Sequence, residues 1–150
     1  MNRLRYGVAL VALLLGAETG VFGQEPAPAG RIKVASGAAF VVRQGQSTTA
    51  QVGQVVFESD ILRTAADGRI GVTLNDETRV SLGPDSEVRL AQFTYAPAEG
   101  RFGFVLAIAR GIVSYVSGRI AKLSPDSIRL ETPSAVVGVR GTRLAIRVTP

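Results

Sequence analysis

The stretch Ile128-Arg-Leu-Glu-Thr-Pro133-Ser-Ala-Val-Val-Gly-Val-Arg140-Gly-Thr-Arg-Leu-Ala-Ile-Arg-Val148 decides the fold. It divides at Thr132-Pro133 and at Arg140-Gly141-Thr142 into three short segments. Ile128 and Leu130 share one face of the first, Val137 and Val139 one face of the second, and Leu144, Ile146 and Val148 one face of the third. An apolar residue at every second position marks a strand with one buried side. Gly141 lies between two of these strands, where the chain needs a positive φ or a close backbone approach. The segment is thus expected to close an all-β fold.

Upstream, the same pattern recurs with turn residues between the runs. Ile32 and Val34, Ala39 to Arg43, Val55 to Phe57, Asp60 to Thr64, Ile70 to Leu74, Val80 to Leu82 and Val88 to Leu90 are separated by Ser36-Gly37, Gln44-Gly45, Ala66-Asp67-Gly68, Asn75-Asp76-Glu77 and Gly83-Pro84-Asp85-Ser86. Short strands at regular spacing with Asp-Gly and Gly-Pro turns predict a single all-β domain, whether a sandwich, a rolled β fold or a short-strand β-solenoid-like one. Val105 to Ala109 reads equally as a buried strand or a short helix, and Ser117 to Ser127 reads as a polar loop.

The first residues belong to another category. Arg3 and Arg5 precede a run of twelve residues, Tyr6 to Ala17, that is almost wholly apolar, and small residues follow up to Gly23. That order is the signature of a secretory signal peptide over residues 1–23, and the run falls short of the ~20 apolar residues a membrane span requires. Residues 24–30, rich in Pro and Ala, read as a spacer, and residues 31–149 as the domain. Without Arg3, Arg5 and Glu18 the net charge changes from +5 to +4. An exported chain with no cysteine must be held by packing alone. Export also argues against nucleic acid as a partner.

Composition excludes much chemistry. With no histidine and no cysteine, neither a Ser-His-Asp nor a Cys-His arrangement can form, and zinc lacks its usual nitrogen and sulfur ligands. No phosphate-cradling glycine motif occurs. Asp76, Glu77, Asp85 and Glu87 are the remaining candidates for acid–base work or a hard cation, but turns favour Asp for their own reasons, and the expectation is solvated turn carboxylates. Phe93 and Tyr95 lie before, and Phe102 and Phe104 after, the loop 96–101. That spacing pairs them across a hairpin, as core or as a platform for a partner. Arg140, Arg143 and Arg147 read as solvated charges or as contacts to an acidic surface.

Taken together, the order of these parts resembles the FecR-type periplasmic domain. The resemblance rests on Asp60-Ile-Leu-Arg63-Thr64, Asp67-Gly68 with the strand after it, Leu82-Gly83-Pro84-Asp85-Ser86, Arg110-Gly111-Ile112, and the ending Thr132-Pro133 with Val139-Arg140-Gly141-Thr142. It implies a non-enzymatic, cofactor-free module of the bacterial periplasm or exterior. Such a module meets an envelope or outer-membrane protein in signalling, or alternatively binds peptidoglycan or another polysaccharide. The best-known members of the family add a cytoplasmic segment that holds a sigma factor and a membrane helix. The sequence is not expected to span a membrane or to act on a sigma factor.

Overall fold

The computed structural model describes Gly20, Gly23, residues 25–141 and residues 143–150. The signal-peptide reading of residues 1–23 and the motif residue Thr142 therefore lie outside the described residues, save for those two glycines. Among the described residues no helix is long and apolar enough to cross a membrane.

In chain order the strands are β1 (Pro28–Ser36), β2 (Ala39–Arg43), β3 (Gln46–Thr49), β4 (Val55–Phe57), β5 (Ile61–Thr64), β6 (Arg69–Leu74), β7 (Arg79–Leu82), β8 (Glu87–Ala96), β9 (Arg101–Val116), β10 (Ile128–Glu131), β11 (Val136–Gly138) and β12 (Arg143–Val148). The single α-helix among the described residues, α1 (Arg119–Leu123), falls in the stretch expected to be loop. β1 begins inside the expected spacer: Ala29 is 2% exposed, and Pro28 and Gly30 pair with β4. Alternation sets the inward faces, as in Ile70, Val72 and Leu74 of β6 or Val80 and Leu82 of β7.

All twelve strands form one curled sheet organised on β9. The first half of β9 lies between β8 and β10, and its second half between β7 and β12. From β9 the sheet runs one way through β8, β5 and β2 to β3, and the other way through β7, β6 and β1 to β4. The two arms face each other across one core. Val56, Val72, Leu74 and Val80 from one arm and Leu62, Val88, Leu90 and Leu106 from the other enclose the same apolar gap of about 10 Å³. A wall without polar atoms leaves such a gap dry. The expected all-β fold is present. Among the described residues every pairing is antiparallel except that of β9 with β10, which describes a rolled sheet and not stacked parallel rungs.

The bend of β9 is made at Gly111, whose φ is +96°. An L side chain rarely adopts that conformation, and a Cβ there would also overlap Ser86, with the Ser86 Cβ 2.6 Å away. Glycine therefore lets one strand change direction without ending its ladder. The segment read as ambiguous, Val105 to Ala109, is strand within β9. The closing segment is a clasp in the literal sense. β10 and β12 both add to β9, one to each half, with β11 folded back on β10.

Candidate interaction surface

Several residues that carried the family resemblance, Thr64, Gly83, Ser86 and Ile112, meet at one polar anchor, and a second anchor forms around Asp76. At the first, Thr64 is 2% exposed and Ser86 fully buried. The Thr64 hydroxyl donates to the Gly83 carbonyl at 2.7 Å and accepts from the Ser86 amide at 3.0 Å. The Ser86 hydroxyl accepts from the Ile112 amide at 2.9 Å. β5, the turn 83–86 and the bend of β9 are thereby tied at one point, satisfying buried backbone groups that would otherwise cost stability. Beside it, Asp60 is 1% exposed and receives two bonds from Arg43, at 2.8 and 2.7 Å, and one from the Phe57 amide at 2.9 Å. Arg43 also lies over the Phe57 ring at 4.5 Å, and its guanidinium is raised above its ordinary value, first by the Asp60 hydrogen bond. Arg63 pairs with Glu87 at 2.8 Å on the outer face.

The second anchor is Asp76, which is fully buried. Its carboxylate accepts from the Thr78 amide at 3.0 Å, the Thr78 hydroxyl at 2.7 Å and the Ile120 amide at 3.2 Å. It thus fixes the β6–β7 turn to α1. Gly118 passes so close to this turn that an added Cβ would stand 2.7 Å from the Glu77 carbonyl carbon. Next to it, Tyr115 is buried and its hydroxyl has no hydrogen-bond partner among the described residues. Burial first, and then the charge of Asp76, push its pKa up to about 12.

These contacts place three of the four candidate carboxylates, and Asp85 is exposed. Asp76 is a buried structural acceptor, not the solvated turn residue expected. Glu77 pairs with Arg119 at the surface, and Glu87 with Arg63 and Arg110. The described residues contain no cluster of three acids that could hold a metal ion. Thr132 closes the β10–β11 turn through bonds between its hydroxyl and Ala135, with Pro133 exposed inside that turn. Arg140 and Gly141 are exposed, and Arg140 approaches Asp126 at 4.0 Å.

The aromatic hairpin packs on the core yet stays partly open: Phe93, Tyr95 and Phe102 lie against the core without being buried in it. Phe93 stands opposite Phe104 and Tyr95 opposite Phe102 in the β8–β9 register, as the spacing predicts. Phe104, however, is 1% exposed and packs on Phe93 edge-to-face at 6.4 Å and on Tyr115 at 5.8 Å. It belongs to the core and leaves any surface role to Phe93, Tyr95 and Phe102, which are half-buried. The Tyr95 and Phe102 rings lie 6.3 Å apart. Arg119, beside the Tyr95 hydroxyl first and Glu77 second, is raised above its ordinary value.

This hairpin also carries an open edge. β5 covers β8 only as far as Arg89. Further along, Leu90 still exchanges backbone bonds with Ser59 and Asp60, and the Phe93 amide is held at 3.0 Å by the Glu58 carboxylate, a side chain in the place of a neighbouring strand. From Thr94 to Ala96 the outer edge of β8 pairs with no strand among the described residues. An open edge flanked by half-exposed rings suits strand addition by a partner.

A protein-family model described as "FecR protein" matches residues 60–150. Neither the curated proteins nor the solved structures give a match.

Proposed function

The chain belongs to the FecR protein family, and from that premise we propose that it is an exported, non-enzymatic interaction module. Its partner is an envelope protein, and its docking element is the free outer edge of β8 with Tyr95 and Phe102. The observation that carries this reading is the division of labour among the residues. Of the candidate acids and hydroxyls, Asp76 and Thr64–Ser86 are bound into anchors and Glu77 and Glu87 into ion pairs, with Asp85 exposed, whereas the end of β8 has unpaired backbone and part-exposed rings. A partner strand would displace Glu58 from the Phe93 amide and continue the sheet. Backbone bonds would supply affinity and the rings selectivity.

The test compares capture of proteins from an envelope extract by the purified chain and by the Tyr95→Ala/Phe102→Ala variant. One specific protein, retained by the first and lost by the second, is expected. No specific capture by a chain that stays monomeric refutes the reading. Sedimentation with peptidoglycan that depends on Tyr95 and Phe102 would assign the hairpin to cell-wall binding instead.

A further inference from the structure

The register brings together a surface that no stretch of sequence displays. Across β1, β6, β7, the second half of β9 and β12, the outward side chains fall into rows. Gly71 faces Ser81, Ser81 faces Ser114, and Ser114 faces Ala145, which makes a floor of small residues running across four strands. On one side of the floor stand Arg31, Arg79 and Arg143, through the pairs Arg31 with Thr73, Thr73 with Arg79, Arg79 with Val116 and Val116 with Arg143. On the other side stand Arg69 and Arg147, the latter opposite Ile112. All five arginines are exposed.

The outward positions of these strands contain no Asp or Glu. None of the five arginines is in an ion pair among the described residues, and Arg31 alone lends a bond, to the Gly53 carbonyl at 3.1 Å. The nearest acids sit in the turns, and Asp85 shares a rim with Arg147 without pairing. A shallow cavity of about 260 Å³ marks the middle of the floor. From strand spacing, Arg31, Arg79 and Arg143 follow one another at about 10 Å, and the two arginine rows stand about 13 Å apart.

We propose that this trough binds a linear acidic polysaccharide, its sugar chain along the Gly71–Ala145 floor and its acidic groups on the two arginine rows. Charge complementarity demands an anion, because unpaired guanidinium groups on a carboxylate-free face repel one another and any second copy of the same face. Arginine's planar fork suits carboxylates in two-point contact. The periodic spacing across a continuous floor suits an extended polymer. The face has no aromatic side chain among its outward positions, so it offers no stacking platform for nucleic-acid bases. Its exposed apolar residues, Val34 and Ile112, stand on separate strands, which provides no apolar stripe to enter a bilayer. The trough and the β8–β9 hairpin share no residue.

The test uses the whole chain with polygalacturonate as probe, against neutral dextran, poly-L-glutamate, an oligodeoxynucleotide and phosphatidylglycerol vesicles at equal salt. Binding to polygalacturonate and not to dextran is expected. It should weaken at least tenfold in Arg79→Gln/Arg143→Gln, with a salt dependence shallower by about two cations. The control Arg89→Gln/Arg129→Gln, at exposed sites elsewhere, should change it less than twofold, and Tyr95→Ala/Phe102→Ala should leave it intact. No binding, an unaffected trough variant, or equal or tighter binding to polyglutamate, DNA or vesicles would overturn the proposal. Loss in the hairpin variant alone would do so too.

Discussion

Replacing Gly111 by alanine should damage the fold more than any other glycine substitution at comparable exposure. Two costs coincide there. At a φ of +96° an L residue is strained by about 1–2 kcal/mol. The new methyl also enters the space of Ser86, whose Cβ would be 2.6 Å away, and overpacking of that kind costs about 1–3 kcal/mol. Ser86 cannot yield without loosening its bond to the Ile112 amide, which adds about 1 kcal/mol. The expected loss is about 3–6 kcal/mol, or a drop in Tm on the order of 10–25 °C for a domain of this size. Urea unfolding followed by far-UV circular dichroism measures it, since the chain has no tryptophan. Gly45→Ala supplies the conformational cost alone, because Gly45 has a φ of +78° and nothing within 4 Å; about 1–2 kcal/mol is expected. Gly138→Ala, with nothing within 4 Å and no positive φ, should stay within about 0.5 kcal/mol. If Gly111→Ala costs no more than Gly45→Ala, the bend of β9 is not the packed pivot described.

Other outcomes follow from the two anchors. Thr64→Val should cost about 2–3 kcal/mol by stranding the Ser86 amide and the Gly83 carbonyl, and Thr64→Ser should restore most of it in the same urea titration. Asp76→Ala should cost about 3 kcal/mol and, by hydrogen exchange, selectively expose the Ile120 amide that its carboxylate holds. Tyr115 has a pKa pushed up to about 12 in the folded chain, against about 10 when unfolded. The unfolded phenol therefore ionises first, and stability that is complete below pH ~10 falls as pH rises toward the folded value, by roughly 1.4 kcal/mol at pH ~11. Tyr115→Phe should remove that alkaline loss and, having no hydrogen bond to break, cost less than about 1 kcal/mol at neutral pH. Urea midpoints for both proteins across the alkaline range measure this.

The strands were legible because a sheet with one wet face writes itself as alternation, and Ile70 to Leu74 is a clean instance. The pairing of Phe93 with Phe104 and Tyr95 with Phe102 was legible too, because a short loop fixes hairpin register. Which rings face the core was not: in this hairpin the inward ladder continues through Phe104 to Tyr115, and that contact depends on the bend at Gly111. The same bend hid β9, whose sixteen residues read as separate runs because glycine usually ends a strand. α1 was missed because five residues are too few to show a helical period. Asp76 resembles any turn aspartate until α1 is placed over it. Of the arginine trough only Arg143 and Arg147, two positions of one strand, could be read from the sequence. Arg31, Arg69, Arg79, Arg143 and Arg147 are scattered along the chain, with acids such as Asp67, Asp85 and Glu87 near them in sequence. Only the strand register leaves those acids off the face.

The most direct test of the interaction module is a photo-crosslinking residue placed at Tyr95, beside the open edge of β8, and compared in living cells with the same residue at Thr48 on the exposed strand β3. One discrete protein adduct is expected from position 95 and none from position 48. A folded chain that gives no adduct at 95, or the same adducts from both positions, would contradict it.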